Sequence, residues 1–236
     1  MDLVELLWWD VVASRREPRR GPRPRWSTPQ VVQRAIRIAD EEGLGAVTIR
    51  ALAQALQITP MSVYTHVSSR DELLVLMADR AHAELAGPPL GEGGWRRRVR
   101  AVAESNLALL KAHPWLLDID DHRTALGPGT IAKYDRELHA FDGTALSDVD
   151  RDAALTFVLD FTRAAARRLT ATEPDFDAIW HDAADRLAEL VGEDYPLARR
   201  VGAVAGEQQG APYDPRAAWE FGLERVLAGL ADAIGG

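Results

Sequence analysis

The sequence predicts an all-α protein, with an N-terminal three-helix domain that contains a helix-turn-helix and a C-terminal antiparallel helical bundle. Apolar residues recur three and four positions apart along most of the 236 residues, which is the spacing of one helix face. No stretch alternates apolar and polar residues as a half-buried strand would. Capping residues, prolines and glycines separate the periodic stretches at intervals that suit ordinary helices.

The stretch Thr48–His66 predicts two short helices around a tight turn. Thr48 stands directly before the first apolar stripe and can cap that helix through its hydroxyl. Thr59 can cap the second helix, with Pro60 at its first position, where a missing N–H costs nothing. The buried stripe of the first helix consists of Ile49, Leu52, Ala53 and Leu56.

The second of these helices has a free face of small and hydrogen-bonding side chains. Val63 and Val67 lie four positions apart and point inward. The residues that point outward are Met61, Ser62 and Thr65, with Tyr64 on the flank. Such a face suits insertion into a DNA major groove. The alternative is an ordinary helical hairpin, but the caps, the turn and both stripes agree on a helix-turn-helix.

Residues 1–27 predict an N-terminal helix followed by an arginine-rich arm. Residues 1–12 are amphipathic and rich in leucine and tryptophan. Residues 14–27, the arginine arm, hold six Arg, three Pro and one Gly, which predicts a mobile segment. The arm is either a solubilising linker or a DNA contact, and its place before the helix-turn-helix favours DNA. Its arginines are Arg15, Arg16, Arg19, Arg20, Arg23 and Arg25.

The helix-turn-helix belongs to a predicted domain over residues 28–86. Ser69 and Glu72 form a capping box that opens a longer helix over residues 70–85. The glycines and prolines of residues 87–94 then break the chain and mark the domain boundary.

Residues 95–236 predict a second, wholly helical domain. Residues 115–129 form an irregular or short-helical connection, and residues 193–215 should be loose because they hold three Gly and three Pro. The predicted helices cover residues 95–112, 131–141, 147–170, 176–191 and 217–234.

The composition indicates an ordinary soluble globular protein, with 47% hydrophobic and 27% charged residues. Cysteine is absent, which excludes disulfides, thiolate zinc sites and cysteine nucleophiles and fits a reducing cytoplasm. No apolar run is long enough to span a bilayer, so no membrane partner is expected.

The acidic net charge of −8 does not exclude DNA as a partner, because it is unevenly distributed. Residues 1–27 carry a net charge of +2, residues 28–86 carry −2 and residues 87–236 carry −8. The acidity therefore lies mostly in the C-terminal two-thirds of the chain.

A cluster of imidazoles and carboxylates suggests a competing function. Such groups could bind a divalent metal, as in a metal sensor or a metal-dependent hydrolase. A polar loop between helices is the favoured alternative, because no two-His spacing here matches a known ligand pattern. We also find no nucleophile elbow, phosphate loop or dinucleotide fingerprint, so we expect neither an enzyme nor a cofactor. The cluster consists of His113, Asp118, Asp120, Asp121 and His122.

Residues 28–86 resemble the DNA-binding domain of the tetracycline-repressor (TetR) family of transcriptional regulators. The residues that carry the resemblance are ADEEGLGAVTIRALAQAL, then ITPMSVYTHV, then SSRDELL. The remaining helices are similar to the C-terminal domain of the tetracycline-repressor class, through the His113-Pro114 break and the closing FGLERVLAGL. LLW and RRGPRPR also look like a segment that precedes the domain in that class, so the resemblance covers nearly the whole chain.

The resemblance implies a homodimer that offers two recognition helices to palindromic double-stranded operator DNA. It also implies that the C-terminal domain binds a small effector, which changes the spacing of the recognition helices and usually releases a repressor. By position, Arg50 would reach a base edge, Tyr64 and His66 would contact phosphates, and Arg70 would hold a phosphate at a helix N-terminus. The residues that would face bases are Thr59, Pro60, Met61, Ser62 and Thr65.

Two positions depart from the family pattern. Gln57 stands in the turn where glycine is common, and a left-handed glutamine costs about 1 kcal/mol. Ser68 stands where the family often has lysine. We infer that the arginine arm, with Arg20, Arg23 and Arg25 nearest the domain, supplies much of the missing phosphate attraction.

The resemblance places the effector in the middle of the C-terminal bundle. The presence of seven Trp and three Met suggests an aromatic-lined cavity for a hydrophobic, planar effector. The candidate effector contacts are Asn106, Leu110, His113, Trp115, Tyr134, Phe157, Phe161, Arg163 and Trp180. The family pairs the helices over residues 147–170 and 217–234 as an intersubunit four-helix bundle. The candidate dimer contacts are Leu155, Val158, Leu159, Phe221 and Leu227.

Overall fold

The computed structural model describes residues 2–13, 25–171, 176–192, 194–209 and 213–234. In these ranges every regular element is a helix and none is a β-strand, which confirms the all-α prediction. The α-helices of the described residues are α1 (Leu3–Leu7), α2 (Trp9–Ala13), α3 (Thr28–Glu42), α4 (Ile49–Leu56), α5 (Pro60–Val63), α6 (Arg70–His82), α7 (Trp95–Ala112), α8 (Pro128–Leu138), α9 (Asp148–Thr170), α10 (Phe176–Val191), α11 (Pro196–Gln209) and α12 (Pro215–Ile234). Short 3₁₀ helices cover Leu44–Ala46, Ala83–Leu85, Pro114–Asp118, His122–Leu126 and His139–Phe141.

The N-terminal helix α1 is docked on the rest of the protein. Leu6 and Leu7 are buried, and α1 packs against α6. The indole N–H of Trp8 donates to the carbonyl of Leu126, 2.9 Å away, at the end of a 3₁₀ helix of the C-terminal half. The predicted N-terminal helix is thus two short helices, α1 and α2. Five arginines of the arginine arm lie outside the described residues, namely Arg15, Arg16, Arg19, Arg20 and Arg23.

The predicted caps define the helices of the N-terminal half. The hydroxyl of Thr48 accepts a hydrogen bond from the Ala51 N–H at 3.0 Å, at the start of α4. The hydroxyl of Ser69 accepts from the Glu72 N–H at 3.1 Å, at the start of α6. The second half of the predicted capping box is displaced by one residue, because the Glu72 carboxylate accepts from the N–H of Ser68.

The core of the N-terminal half lies between α3, α4 and α6. Ile36, Leu52, Val63 and Leu73, from four successive helices, are each no more than 1% exposed. This enclosure fixes the α4–α5 hairpin on a rigid base formed by α3 and α6. α3 ends at Glu42, and the capping residue Gly43 has a φ of +82°, a backbone conformation that favours glycine.

The C-terminal half packs α7 against α9, and α12 against both. α8 lies across the end of α6 and also contacts α9. α8 begins at Pro128, three residues earlier than predicted, because proline suits the first helical position. The predicted short-helical connection is confirmed as two 3₁₀ helices between α7 and α8.

The prediction that residues 193–215 are loose is wrong. The segment contains α11, a 14-residue helix that begins at Pro196 and includes Gly202 and Gly206. Each glycine in a helix costs about 1 kcal/mol relative to alanine, which lowers helix propensity without forbidding the helix. None of the helices in the described ranges is long and apolar enough to cross a membrane.

Candidate functional site

A left-handed glutamine joins the two helices of the predicted helix-turn-helix. Gln57 has φ +55° and ψ +46°, and its N–H bonds to carbonyls of the last turn of α4. Among the described residues it is the single non-glycine with positive φ. Gln57, which stands where the family commonly has glycine, therefore adopts the left-handed conformation that glycine would adopt. The cost for a glutamine is about 1 kcal/mol.

The free face of α5 is uncharged. Val63 and Val67 are buried beneath it, while Met61 is 74% exposed and Tyr64 is 50% exposed. The Thr59 and Ser62 hydroxyls lie 2.9 Å apart, and Thr59 also caps the helix through the Ser62 N–H. The other exposed members of this face are Pro60 and Thr65. This surface offers hydroxyls, an apolar side chain and a phenol, which suit base edges better than phosphates.

Two predicted phosphate contacts have partners within the protein. The imidazole Nδ1 of His66 lies 3.2 Å from the Thr28 hydroxyl, and burial lowers the pKa of His66 below its ordinary value. This shift favours the neutral imidazole, which can hydrogen-bond a phosphate without carrying a charge. Arg70 donates through Nε to the Val47 carbonyl at 2.8 Å and through Nη2 to the Leu44 carbonyl at 2.9 Å. Arg70 thus holds the chain before α4 in place, which sequence reasoning missed.

Two other predicted DNA contacts are exposed. Arg50 projects from the first turn of α4, and Arg25 lies at the start of the N-terminal domain. The neighbouring Trp26 donates its indole N–H to the Leu56 carbonyl at 3.2 Å, which ties this end of the arginine arm to the hairpin. Both arginines are therefore on the surface, next to the elements that carry the uncharged face.

A cavity of about 340 Å³ lies between α6, the connection from α7 to α8, and α9. Its lining is mostly polar and includes both signs of charge. The lining residues are Ala78, His82, Leu116, Ile119, Asp120, Asp121, His122, Thr124, Ala125, Asp160 and Arg163. The cavity borders α6 through Ala78 and His82. α6 also forms part of the base of the α4–α5 hairpin and so joins the two halves of the protein. We call the cavity the α6 cavity.

His82 is the α6 cavity residue with the most perturbed ionisation. Burial, together with the positive charges of Lys133 and Arg163, lowers the pKa of His82 from 6.5 to about 4. Its Nδ1 lies 2.9 Å from the Thr130 hydroxyl at the start of α8. A neutral imidazole therefore faces the cavity at physiological pH. Sequence reasoning missed His82, which lies four residues after Ala78 on the same face of α6.

A close contact between α6 and α8 stands next to the cavity. The Asp79 carboxylate accepts from the Thr130 N–H at 2.7 Å, and burial raises the pKa of Asp79 despite this bond. A Cβ atom at Gly127 would lie 2.0 Å from the Asp79 carboxylate. A Cβ atom at Gly129 would lie 2.3 Å from the Asp79 carbonyl oxygen. The close contact between α6 and the start of α8 therefore requires both glycines. In this contact the Asp79 side chain of α6 caps α8.

The predicted effector contacts do not surround one cavity. Arg163 lines the α6 cavity, where its Nη2 donates to the carbonyls of Leu116, Leu117 and Ile119 at 2.8–3.0 Å. Trp180 instead lines an apolar cavity of about 620 Å³ between α10 and α11. No residue of α6 lines this larger cavity.

The other candidates for effector contacts have different environments. Asn106 and Leu110 are buried in α7, and the Asn106 amide donates to the Glu137 carboxylate, which pairs with Lys133. Phe161 stacks on Trp219, with ring centroids 5.3 Å apart. Tyr134 and Phe157 are exposed, and His113 and Trp115 contact Asp40 of α3. The predicted residues thus lie in several different environments, which periodicity alone does not reveal, and which of them contact an effector stays a prediction.

The proposed metal cluster does not assemble. His113 faces the carboxylates of Asp40 and Glu84, not the acids that follow it in sequence. Asp121 caps the 3₁₀ helix His122–Leu126 and pairs with Arg123, which holds the pKa of its carboxyl below the ordinary value. Within the described ranges, no group of three or more histidines and acids could hold a metal ion.

Three of the five predicted dimer contacts are buried within one protomer, and the dimer interface itself stays a prediction. Leu155, Val158 and Leu227 are at most 2% exposed inside one protomer, so they belong to its own core and offer no surface to a second copy. Leu159 is half-buried, and Phe221 is 69% exposed on α12. The outward face of α9 carries other large apolar residues, among them Val149 and Phe157.

A capped hairpin with an uncharged exposed face, joined through one helix to a bundle with a polar cavity, defines a DNA-binding regulator with a ligand-responsive domain. Residues 87–234 match the family described as "Tetracyclin repressor-like, C-terminal domain", so the chain belongs to the tetracycline-repressor family. This confirms the resemblance seen in the sequence.

Relatives and solved structures agree with this assignment. The transcriptional repressor DrrR1 of Streptomyces coeruleorubidus is 32% identical over 239 residues, which cover 96% of this chain and 84% of the relative. Apo ActR of Streptomyces coelicolor superimposes with a TM-score of 0.75 at 28% identity, covering 91% of this chain and 99% of ActR. ActR in complex with actinorhodin gives a TM-score of 0.73 at 28% identity, covering 90% and 100%. The chain is a ligand-responsive DNA-binding regulator of transcription.

Proposed function

We propose that the protein is a homodimeric repressor that binds a palindromic operator through the α4–α5 hairpin and is released by a small effector. The observation that carries this proposal is the uncharged, exposed face of α5 on a rigid base of α3 and α6. Such a face contributes base recognition but little phosphate attraction. We further propose that the protein acts in the cytoplasm, needs no cofactor and is not an enzyme.

In this proposal, specificity and affinity come from different residues. Arg50 contacts a guanine edge, and the exposed side chains of α5 contact neighbouring bases. Affinity comes from Arg25 and the rest of the arginine arm, together with dimerisation, because the hairpin lacks positive charge. Arg70 acts mainly by holding the chain before α4, and the phosphates are contacted by Tyr64 and His66 through neutral hydrogen bonds.

The effector site in this proposal is the α6 cavity. Its volume of about 340 Å³ suits a small molecule, and its mostly polar lining favours a ligand with several hydrogen-bonding groups. A ligand there would touch α6 and so could alter the angle between the DNA-binding and C-terminal halves. The relative ActR binds actinorhodin and (S)-DNPA, which supports a small-molecule effector for this chain.

The dimer in this proposal forms through the outward faces of α9 and α12. Phe157 and Phe221 are 52% and 69% exposed, and large exposed apolar side chains on adjacent helices are typical of a subunit interface. Pairing of these two helices with their copies would form a four-helix bundle between subunits, as the family does.

Selection of random DNA fragments with the purified protein tests the proposal. We expect one enriched sequence with two inverted half-sites, bound by two protomers in sedimentation analysis.

A second experiment tests the effector site. Actinorhodin, used as a probe, should shift the melting temperature of the protein and weaken its complex with the selected DNA. The variant His82→Trp, which fills the α6 cavity, should abolish both effects. The absence of an enriched sequence, or a monomer on DNA, would contradict the proposal. A response that survives in the His82→Trp variant would place the effector elsewhere.

A further inference from the structure

One carboxylate of the DNA-binding half holds two side chains of the C-terminal half. Asp40, near the end of α3, accepts a hydrogen bond from the indole N–H of Trp115 at 2.6 Å. The same oxygen lies 2.7 Å from Nδ1 of His113. Trp115 is 3% exposed and His113 is 8% exposed, so both partners are enclosed. Hydrogen bonds to a carboxylate are stronger than neutral ones, and here they join the two halves of the protein, although the Asp40 side chain is 29% exposed and solvent screens its charge in part.

The segment that carries these two partners leads directly to the α6 cavity. Trp115 belongs to the 3₁₀ helix Pro114–Asp118, and Leu116 and Ile119 line the cavity. The carbonyls of this segment are held from the other side by Arg163, which also lines the cavity. One short helix is therefore bonded to α3 at its beginning and borders the effector site at its end.

Open space beside this contact leaves the short helix room to move. A cavity of about 380 Å³ separates the end of α3 from the C-terminal half. Close-packed interiors resist such displacements, whereas an open seam allows a helix to shift without repacking its neighbours. The cavity is lined by Ala39, Asp40, Gly43, Leu44, Pro114, Trp115, Leu117, Asp118, Arg167, Thr170 and Ala171.

We propose that Asp40 is the positioning residue that couples the α6 cavity to the DNA-binding domain, by fixing the 3₁₀ helix Pro114–Asp118 to α3. This inference rests on the proposed function. It adds a second connection between the two halves, separate from α6. α3 packs on α4 and α6, so a displacement of its end changes the orientation of the recognition hairpin.

The coupling can be measured from the DNA side, because coupling between two binding sites is reciprocal. We would compare hydrogen exchange of the amides of residues 114–126 in the full-length dimer, free and bound to a DNA fragment selected by the protein. In the wild-type protein, DNA should change these exchange rates about fivefold or more, the lower end of common allosteric couplings. In Asp40→Asn, which removes the charge at constant shape, the change should largely disappear, with DNA affinity within about twofold of wild type.

Two further variants separate coupling from simple stability. Trp115→Phe removes the indole donor from the other side of the contact, and it should lose the exchange response as Asp40→Asn does. The double variant should be no worse than either single one, because both remove the same interaction. Glu41→Gln is the matched control, since Glu41 is the exposed neighbour of Asp40 on α3, and it should respond as wild type does.

The outcomes distinguish this inference from the proposed function. If Asp40→Asn keeps the wild-type exchange response, or if the wild-type protein shows none, Asp40 does not couple the two sites. If Asp40→Asn loses melting temperature and DNA affinity together, its role is structural and the inference is also overturned. Failure to select any DNA with the wild-type protein would instead contradict the proposed function.

Discussion

Acidification should destabilise the folded protein through His82, and the size of the effect can be worked out from its pKa. Burial and neighbouring cations lower the pKa of His82 from 6.5 to about 4, so the folded protein binds the proton more weakly than the unfolded chain. The stabilisation by the neutral imidazole is complete above pH 6.5 and is lost as the pH falls toward 4. At about 1.4 kcal/mol per pH unit below 6.5, the loss at pH 5 is on the order of 2 kcal/mol.

Urea unfolding of the wild-type protein and of His82→Gln, at one protein concentration and at pH 7.5 and 5, measures this contribution. Glutamine does not titrate and can still hydrogen-bond the Thr130 hydroxyl, so the variant should lose about 2 kcal/mol less on acidification. Asp79 acts in the opposite direction, because burial raises its pKa, but it is present in both proteins and cancels. Equal losses of unfolding free energy in the two proteins would refute the assignment of a neutral, buried His82.

Three other predictions concern the close contacts, the turn and the arm. Gly129→Ala should cost about 1–3 kcal/mol of unfolding free energy, because its methyl group would stand 2.3 Å from a backbone oxygen of α6. Gly45→Ala, whose methyl group meets nothing within 4 Å, should change little in the same denaturation assay. Gln57→Val should cost about 1–2 kcal/mol, because a β-branched residue strongly resists the left-handed conformation, while Gln54→Val on the exposed face of α4 should cost only a few tenths. Replacing the arginines of the arginine arm with glutamine should lower the slope of log affinity against log salt by about 0.9 for each lost phosphate contact, and an unchanged slope would exclude the arm from DNA.

The helix-turn-helix was predictable because its determinants are local. Thr48, Thr59 and Ser69 each cap the helix that follows within four residues, so the sequence itself carries the boundary. Val63 and Val67 are buried as predicted, because their spacing of four residues places them on one helix face. Nothing in the immediate sequence competes with these signals.

The site residues of the C-terminal half were harder to predict because they depend on contacts between distant helices. Periodicity identifies the apolar faces of α9 but does not say which of them meets the same chain and which meets a second copy. Leu155 and Val158 therefore appeared suitable for a dimer interface, although they are core residues of the protomer. Likewise, nothing near Trp115 in sequence indicates that its partner is Asp40, which lies 75 residues earlier.

α6 is enclosed on every side, and this limits the sequence changes that it can accept. The five consecutive residues 75–79 are all buried, which on a helix covers more than one complete turn. Within α6, only Asp71 and Arg80 are exposed. In a library of random substitutions, functional variants should therefore retain most of α6 while tolerating change at these two positions. Arg80 is also the natural attachment point for a spectroscopic label, because a probe there could follow the helix without entering either core.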